Sequence, residues 1–328
     1  MEEGRFRDNC TVAVASEDAV EYEFDRPNVL SFAWCIFIIN IVKIESIING
    51  LRAYDGQFPA MSSVFSFFDE SDKKGQLCGG ALIGPSIFLT AAHCVIKDGK
   101  MANSVRITVG DYRLEESDAD EEQQIVGLDS ITINPEFLND LSESDDFALV
   151  TLPQPLESCI YWKARIAPLP PTLDWLPREL ELNHQFDQIT DFEIANSECF
   201  AAGWGVTQER DHSDVAQYMP VKLSPNTDGS KGTLIGQAVS DAMNICDGDS
   251  GNAVFCAIRS RTYLVGILIE QIGENSPEES ASTAEQCRNF NRFVVLDLRT
   301  QLSKITSLLP GGKVVEEIQT GQKMCGHL

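Results

Sequence analysis

Three short segments far apart in the chain set the strongest constraint on its fold. They are Thr90-Ala91-Ala92-His93-Cys94, Asp146-Phe147-Ala148-Leu149 and Cys246-Asp247-Gly248-Asp249-Ser250-Gly251. In that order they supply an imidazole, a carboxylate and a hydroxyl. A serine hydroxyl is a weak nucleophile until a base takes its proton, and an imidazole serves as that base only when a third group holds its tautomer. A fold that uses all three must bring loops from the first, middle and last thirds of the chain to one point.

The order His, Asp, Ser is not that of subtilisin or the α/β-hydrolases. With its surrounding motifs, the chain resembles the trypsin/chymotrypsin family of serine proteases. The resemblance runs from Ile47 to about Leu309 through further landmarks in order. Ile47-Ile48-Asn49-Gly50 followed by Gly56-Gln57-Phe58-Pro59 resembles the start of a mature member. Cys78-Gly79-Gly80-Ala81-Leu82-Ile83 resembles the strand before the histidine. Cys199 with Gly203-Trp204-Gly205 resembles the opening of the second barrel, and Leu264-Val265-Gly266-Ile267 the strand after the serine.

The resemblance implies an all-β chain of two six-stranded antiparallel β-barrels packed together, with a C-terminal helix. The expected organisation is an N-terminal extension (1–46), a protease domain (47–309) and a tail (310–328). Within the domain the barrels fall at about 47–170 and 199–295, and the helix at about 296–309. The residue pattern agrees. Val105-Arg106-Ile107-Thr108-Val109 alternates as a half-buried strand does, and Gly84-Pro85-Ser86 punctuates two apolar runs. Leu298, Leu302 and Ile305 recur at helical spacing. The leucine-rich first half of 172–198 is expected to carry a short helix.

The 328 residues suffice for such a domain plus extensions. A net charge of −25 argues against nucleic acid and anionic membranes as partners. Ten cysteines without a CxxC pair favour disulfides over zinc. The family resemblance implies the pairs Cys78–Cys94, Cys199–Cys256 and Cys246–Cys287; Cys10, Cys35, Cys159 and Cys325 have no such counterpart. Disulfides imply an oxidising compartment, hence secretion. Val29–Val42 is an apolar run fit for an export signal; as a helix it would span about 21 Å, short of a bilayer core. A cleaved signal, an anchor and a pro-segment all remain open readings of it. Asn9-Cys10-Thr11 is a glycosylation sequon.

By resemblance, His93 is the general base, Asp146 its orienting carboxylate and Ser250 the nucleophile, with Asp145 the rival to Asp146. The backbone N–H groups of Gly248 and Ser250 would form an oxyanion hole. Cleavage before Ile47 would free an ammonium that pairs with buried Asp249 and orders that hole.

Several positions depart from the family pattern. Ser46 precedes Ile47, where most zymogens carry Arg or Lys. Asn244 stands where trypsin-like members place a pocket aspartate, and Asn291 near a glycine that keeps the pocket open. Ile269 and Glu270 replace a Ser-Trp pair along the cleft, and Glu270 would put a carboxylate there that favours basic groups. Asn252 replaces a glycine after Ser250. The acidic hairpin from Asp111 to Glu122 lies in the position of the family's calcium loop, so Asp111 and Glu122 are the candidate ligands of an optional Ca²⁺; the reaction itself requires no cofactor. The expected function is a secreted serine endopeptidase, made as a zymogen. Its expected partners are protein or peptide substrates, an activating protease and protein protease inhibitors, and the chain is expected to be monomeric. The alternative is a catalytically silent homologue that binds proteins.

Overall fold

Short runs of β-branched and aromatic residues, cut by Gly, Pro, Asn and Asp, build two antiparallel sheets. The computed structural model describes residues 47–69, 75–114, 121–156, 164–171, 188–207, 212–227, 231–273, 283–288, 290, 292–309 and 312–318. The expectations for residues 1–46, for the leucine-rich segment from Thr172, for Asn291 and for Cys10, Cys35, Cys159 and Cys325 lie outside the described residues.

The strands are β1 (Leu51–Arg52), β2 (Met61–Phe67), β3 (Gln76–Gly84), β4 (Ile87–Thr90), the small hairpin β5 (Ile96–Lys97) and β6 (Lys100–Met101), β7 (Ser104–Val109), β8 (Glu122–Gly127), β9 (Ile131–Ile133) and β10 (Ala148–Thr151). After these come β11 (Glu198–Gly203), β12 (Gln217–Pro225), β13 (Thr233–Ala238), β14 (Ala253–Ile258), β15 (Arg261–Ile272) and β16 (Arg292–Asp297). Helices are few: α1 (Phe137–Asp140), α2 (Asp191–Ala195), α3 (Thr283–Arg288) and α4 (Leu298–Ser307).

The N-terminal sheet runs β8-β7-β2-β3-β4-β10-β9 and curls as a half-barrel. The C-terminal sheet runs β12-β11-β14-β15-β16-β13, and a β12–β13 pairing closes it into a six-strand barrel, with β1 added at β12. The chain is thus all-β with a terminal helix, as one closed six-strand barrel beside one curled half-barrel sheet of seven strands. Alternation works as read: Val105 and Ile107 are buried on β7, while Arg106 between them lies over the Phe65 ring at 4.4 Å. On α4 the spaced residues Leu298, Leu302 and Ile305 are fully buried.

The two sheets share one interior. A continuous apolar cluster joins Leu82, Phe88 and Leu149 of the first sheet to Phe255, Ile267 and Leu296 of the second and to α4. Trp204, fully buried, sends its Nε1–H to Tyr112 O at 3.4 Å and so ties the sheets a second time. Part of the segment read as a tail belongs to this core as well. Residues 313–318 are helical, Val314 and Ile318 are buried in the shared cluster, and Glu317 Oε2 accepts from the Ser86 N–H at 3.2 Å.

The three expected disulfides, Cys78–Cys94, Cys199–Cys256 and Cys246–Cys287, are all present. Such bonds fit a protein of an oxidising, extracellular setting. Cys78–Cys94 anchors the turn around His93 to β3, Cys246–Cys287 ties the turn around Ser250 to α3, and Cys199–Cys256 joins β11 to β14.

Candidate active site

His93 sits in a single 3₁₀ turn, Ala92–Cys94, directly after β4, with Cys94 bound to Cys78 on β3. Asp146 follows another 3₁₀ turn, Glu143–Asp145, and precedes β10, which pairs with β4. Strand pairing therefore brings the two together. His93 Nδ1 lies 2.6 Å from Asp146 Oδ2, and the His93 backbone N–H donates to Asp146 Oδ1 at 3.0 Å. Asp146 is 4% exposed, so little water competes for these bonds. Its rival Asp145 faces elsewhere: it accepts from Asn134 Nδ2 at 3.0 Å and pairs with Lys304 of α4.

The His93 imidazole is held above its ordinary pKa. Burial is the largest single influence and works downward. The hydrogen bond and charge of Asp146, with the charge of Glu270, outweigh it together.

Ser250 occupies the tight turn before β14. Gly248 has φ +89°, a left-handed backbone that disfavours a side chain, and a Cβ there would meet Gly205 Cα at 3.2 Å. Gly251, at φ +76°, has no room at all, since a Cβ would lie 2.4 Å from Gly79 O. The Gly79 N–H donates to Ser250 O at 2.8 Å, fixing the turn against β3. Among the described residues the Gly248 and Ser250 N–H groups donate to no protein acceptor. Nor does a hydrogen bond join Ser250 to His93 Nε2; the contact made by Nε2 is with Cys94 Sγ, at 3.9 Å. Such bonds are commonly loose before substrate arrives.

Asp249 is fully buried and accepts from the N–H groups of Gly205 (2.9 Å) and Cys246 (3.0 Å). Burial pushes its pKa up to about 7, against the pull of those two donors. Among the described residues no cation pairs with it. Ile47 is itself fully buried, and Ile48 forms a β-bridge with Asn244.

A cavity of about 230 Å³ opens beside Ser250, walled by Ile245, Leu268 and Ile269 and by three polar groups, Asp247, Glu270 and Gln271. Ile269 falls where the β15–β16 register slips, between Leu268 and Glu270, which turns it into the cleft. Asn244 does not line this space. Its Nδ2 donates to Cys287 O at 2.7 Å and its Oδ1 accepts from the Ile245 N–H at 3.0 Å. Gln271 crosses the cleft wall to reach Ile245 O at 2.7 Å. Asn252 is fully buried behind the turn, its Nδ2 3.4 Å from Gly248 O.

Three cleft residues escaped the sequence reading. Asp247 could have been found, because it belongs to the serine motif. Gln271 ended the stretch Ile267–Gln271 that the resemblance places along the cleft, and was given no role of its own. Glu143, whose pKa is raised by burial and by the influence of Glu270, carried no local signal. The proposed calcium ligands have protein partners: Asp111, nearly buried, accepts from Ser63 Oγ, and Glu122 Oε1 accepts from Gln124 Nε2 at 2.7 Å. The described hairpin residues so named give two of the roughly six to eight oxygens calcium takes.

A family model described as Trypsin matches residues 47–294. Among curated proteins, Spermosin of Halocynthia roretzi is 26% identical over 239 residues, covering 69% of this chain and 56% of that protein. Ovochymase of Halocynthia roretzi is 27% identical over 221 residues, covering 64% of this chain and 12% of that protein. The chain thus spans little more than half of the one and a small part of the other. Among solved structures, human heparin binding protein matches with a TM-score of 0.57 at 19% identity, over 80% of this chain and 97% of that one, a likeness of fold. The family match spans both sheets and every one of the three motifs that meet at the cleft: the chain belongs to the trypsin family.

Proposed function

We propose that this chain is a secreted serine endopeptidase that forms an acyl-enzyme on Ser250 and is activated by cleavage before Ile47. The observation that carries the reading is the 2.6 Å contact of His93 Nδ1 with Asp146 Oδ2 in a cleft that Ser250 lines. Asp146 fixes the tautomer with the proton on Nδ1, which leaves Nε2 free to take the Ser250 proton. Ser250 Oγ then attacks the substrate carbonyl, and the oxyanion that forms is held by the idle N–H groups of Gly248 and Ser250. Losing one such donor costs about 2.7–4 kcal/mol. His93 next returns its proton to the leaving amine, and water repeats the sequence to release the acid. No step draws on a metal.

Activation follows from Asp249. Among the described residues its buried carboxyl has no cation beside it, and an Ile47 ammonium would supply one; an unpaired buried charge is costly. Disulfides support secretion, and the acidic surface supports peptide over nucleic-acid partners. An activating protease and protein inhibitors follow as partners of such an enzyme, acting on a monomer.

One observation favours the second reading, a silent binding homologue: Gln271 ties the cleft walls together across the substrate side. A fluorophosphonate probe separates the two. The protein bearing a free Ile47 amine is expected to label, and Ser250→Ala to abolish labelling. A folded, disulfide-intact sample that stays unlabelled decides for the binding homologue.

A further inference from the structure

Asp146 stands at the apex of a one-residue turn. Its backbone, at φ −77° and ψ 70°, is an inverse γ-turn, and the Phe147 N–H closes it onto Asp145 O at 2.8 Å. Left unheld, so small a turn would swing as a unit and carry the carboxylate off His93. Asn134, which follows β9 and is 1% exposed, holds both of its arms. Its Nδ2 donates to Asp145 O at 3.0 Å, and its own N–H donates to Phe147 O at 3.1 Å. The same Nδ2 reaches Asp145 Oδ1 at 3.0 Å, and Asn134 Oδ1 accepts from the Glu136 N–H at 3.2 Å. The carboxylates of Asp145 and Glu136 then converge on one cation, the Nζ of Lys304, which lies 159 residues beyond Asp145 in the chain. Lys304 rides on α4, whose Leu302 and Ile305 are fully buried, so the core fixes its backbone. Asn134, Asp145, Lys304 and Glu136 thus close a ring at the base of the Asp146 turn.

We propose that this ring is the positioning element of Asp146: Asn134 sets the turn, and Lys304 anchors it to the terminal helix. On the protease reading above, on which this rests, the four are positioning residues that act through Asp146 on the His93 ring. Asp146 meets His93 through bonds of 2.6 and 3.0 Å, both of which a small rotation of the turn would break. A misplacement of about 1 Å in such a site costs about 10² in rate. Asp145 is 7% exposed, so its carboxylate needs the Lys304 cation that it has, and the charge strengthens the bond between them. Glu136 and Lys304 are more exposed, and their contact serves to aim the Lys304 head at Asp145. The terminal helix is therefore part of the catalytic frame as well as of the core.

The test measures kcat and KM on a cleaved peptide, with the downfield ¹H resonance of the His93 Nδ1 proton, whose position reports the bond to Asp146. The chain is used with its Ile47 amine freed, and fluorophosphonate labelling accompanies every sample. Asn134→Ala should lower kcat by about 10² and leave KM little changed, with the proton moved upfield or broadened. Lys304→Met should lower kcat less, by about tenfold, because Asn134 still holds the turn; Lys304→Arg should restore most of it. Loss of the cation alone leaves Asp145 buried and unpaired, which threatens folding. Asp145→Asn/Lys304→Met removes both charges and with them that cost, and should keep the kcat loss, since the tie to α4 is still cut. Wild-type kcat and an unmoved proton in the folded double variant and in Asn134→Ala overturn this inference, whatever their melting temperatures, and leave the protease reading standing. A wild-type protein that does not label overturns both.

Discussion

The two walls of the cleft are built to different standards. The His93–Asp146 wall is tightly determined: two hydrogen bonds at 2.6 and 3.0 Å, a nearly buried carboxylate, and turns pinned by a disulfide and by β4–β10 pairing. The facing wall, from Leu268 to Gln271, carries a register slip, a buried isoleucine and an exposed glutamate where the family resemblance implied serine and tryptophan. On the proposed function the first wall moves a proton, a step that tolerates little displacement and few residue types, so that wall is held. Binding asks only that the side chains match a partner, so its wall is free to change.

Four measurements would break or sharpen that contrast. The largest effect belongs to the held wall. Asp146→Asn should lower kcat by about 10⁴, because the amide favours the wrong imidazole tautomer; a loss of only a few fold would mean that the wall is not catalytic. Next comes the buried switch beneath the serine. Asp249 titrates at about 7 in the folded chain against 3.8 for the free side chain. Its folded form therefore binds the extra proton, and stability present below pH 4 is lost as pH climbs through 7, by about 4 kcal/mol. Urea midpoints of the uncleaved chain from pH 4 to 8 should fall along this course. Asp249→Asn should flatten the curve, and freeing the Ile47 amine should reduce the loss.

Third in size, Gly248→Ala should cost about 10²–10³ in kcat by disturbing one oxyanion donor, with substrate KM moving far less. The smallest effect lies on the free wall. The charge of Glu270 helps to raise the His93 pKa, and the neutral imidazole is the working base. Glu270→Gln should accordingly move the acid limb of kcat/KM to lower pH. An unmoved limb would mean that the two walls do not communicate.

The legible part of the site was the part written in contiguous residues. Thr90–Cys94, Asp146–Leu149 and Cys246–Gly251 each announce themselves, because a nucleophile turn or a buried carboxylate demands particular neighbours within a few positions. The apolar run after Asp146 singled it out over Asp145, and the structure has Asp146 on His93 and Asp145 on Lys304 and Asn134. The calcium hairpin was read from its position in the family pattern and its acidic ends, whereas the bond that Asp111 accepts from Ser63 on a different strand is a contact that only packing sets.

The sequence by itself determined the trypsin family, the strand-rich class and the residues at the three motifs through the resemblance those motifs carry, and the spacing of Leu298, Leu302 and Ile305 agreed with the terminal helix that it implies. Only the tertiary structure decided which distant polar groups face one another. Asn244 is consumed by Cys287 O, Gln271 reaches Ile245 O, and Val314 and Ile318 join the core. Each of these depends on register and packing between elements far apart in the chain, where a slip of one residue turns a side chain to the opposite face.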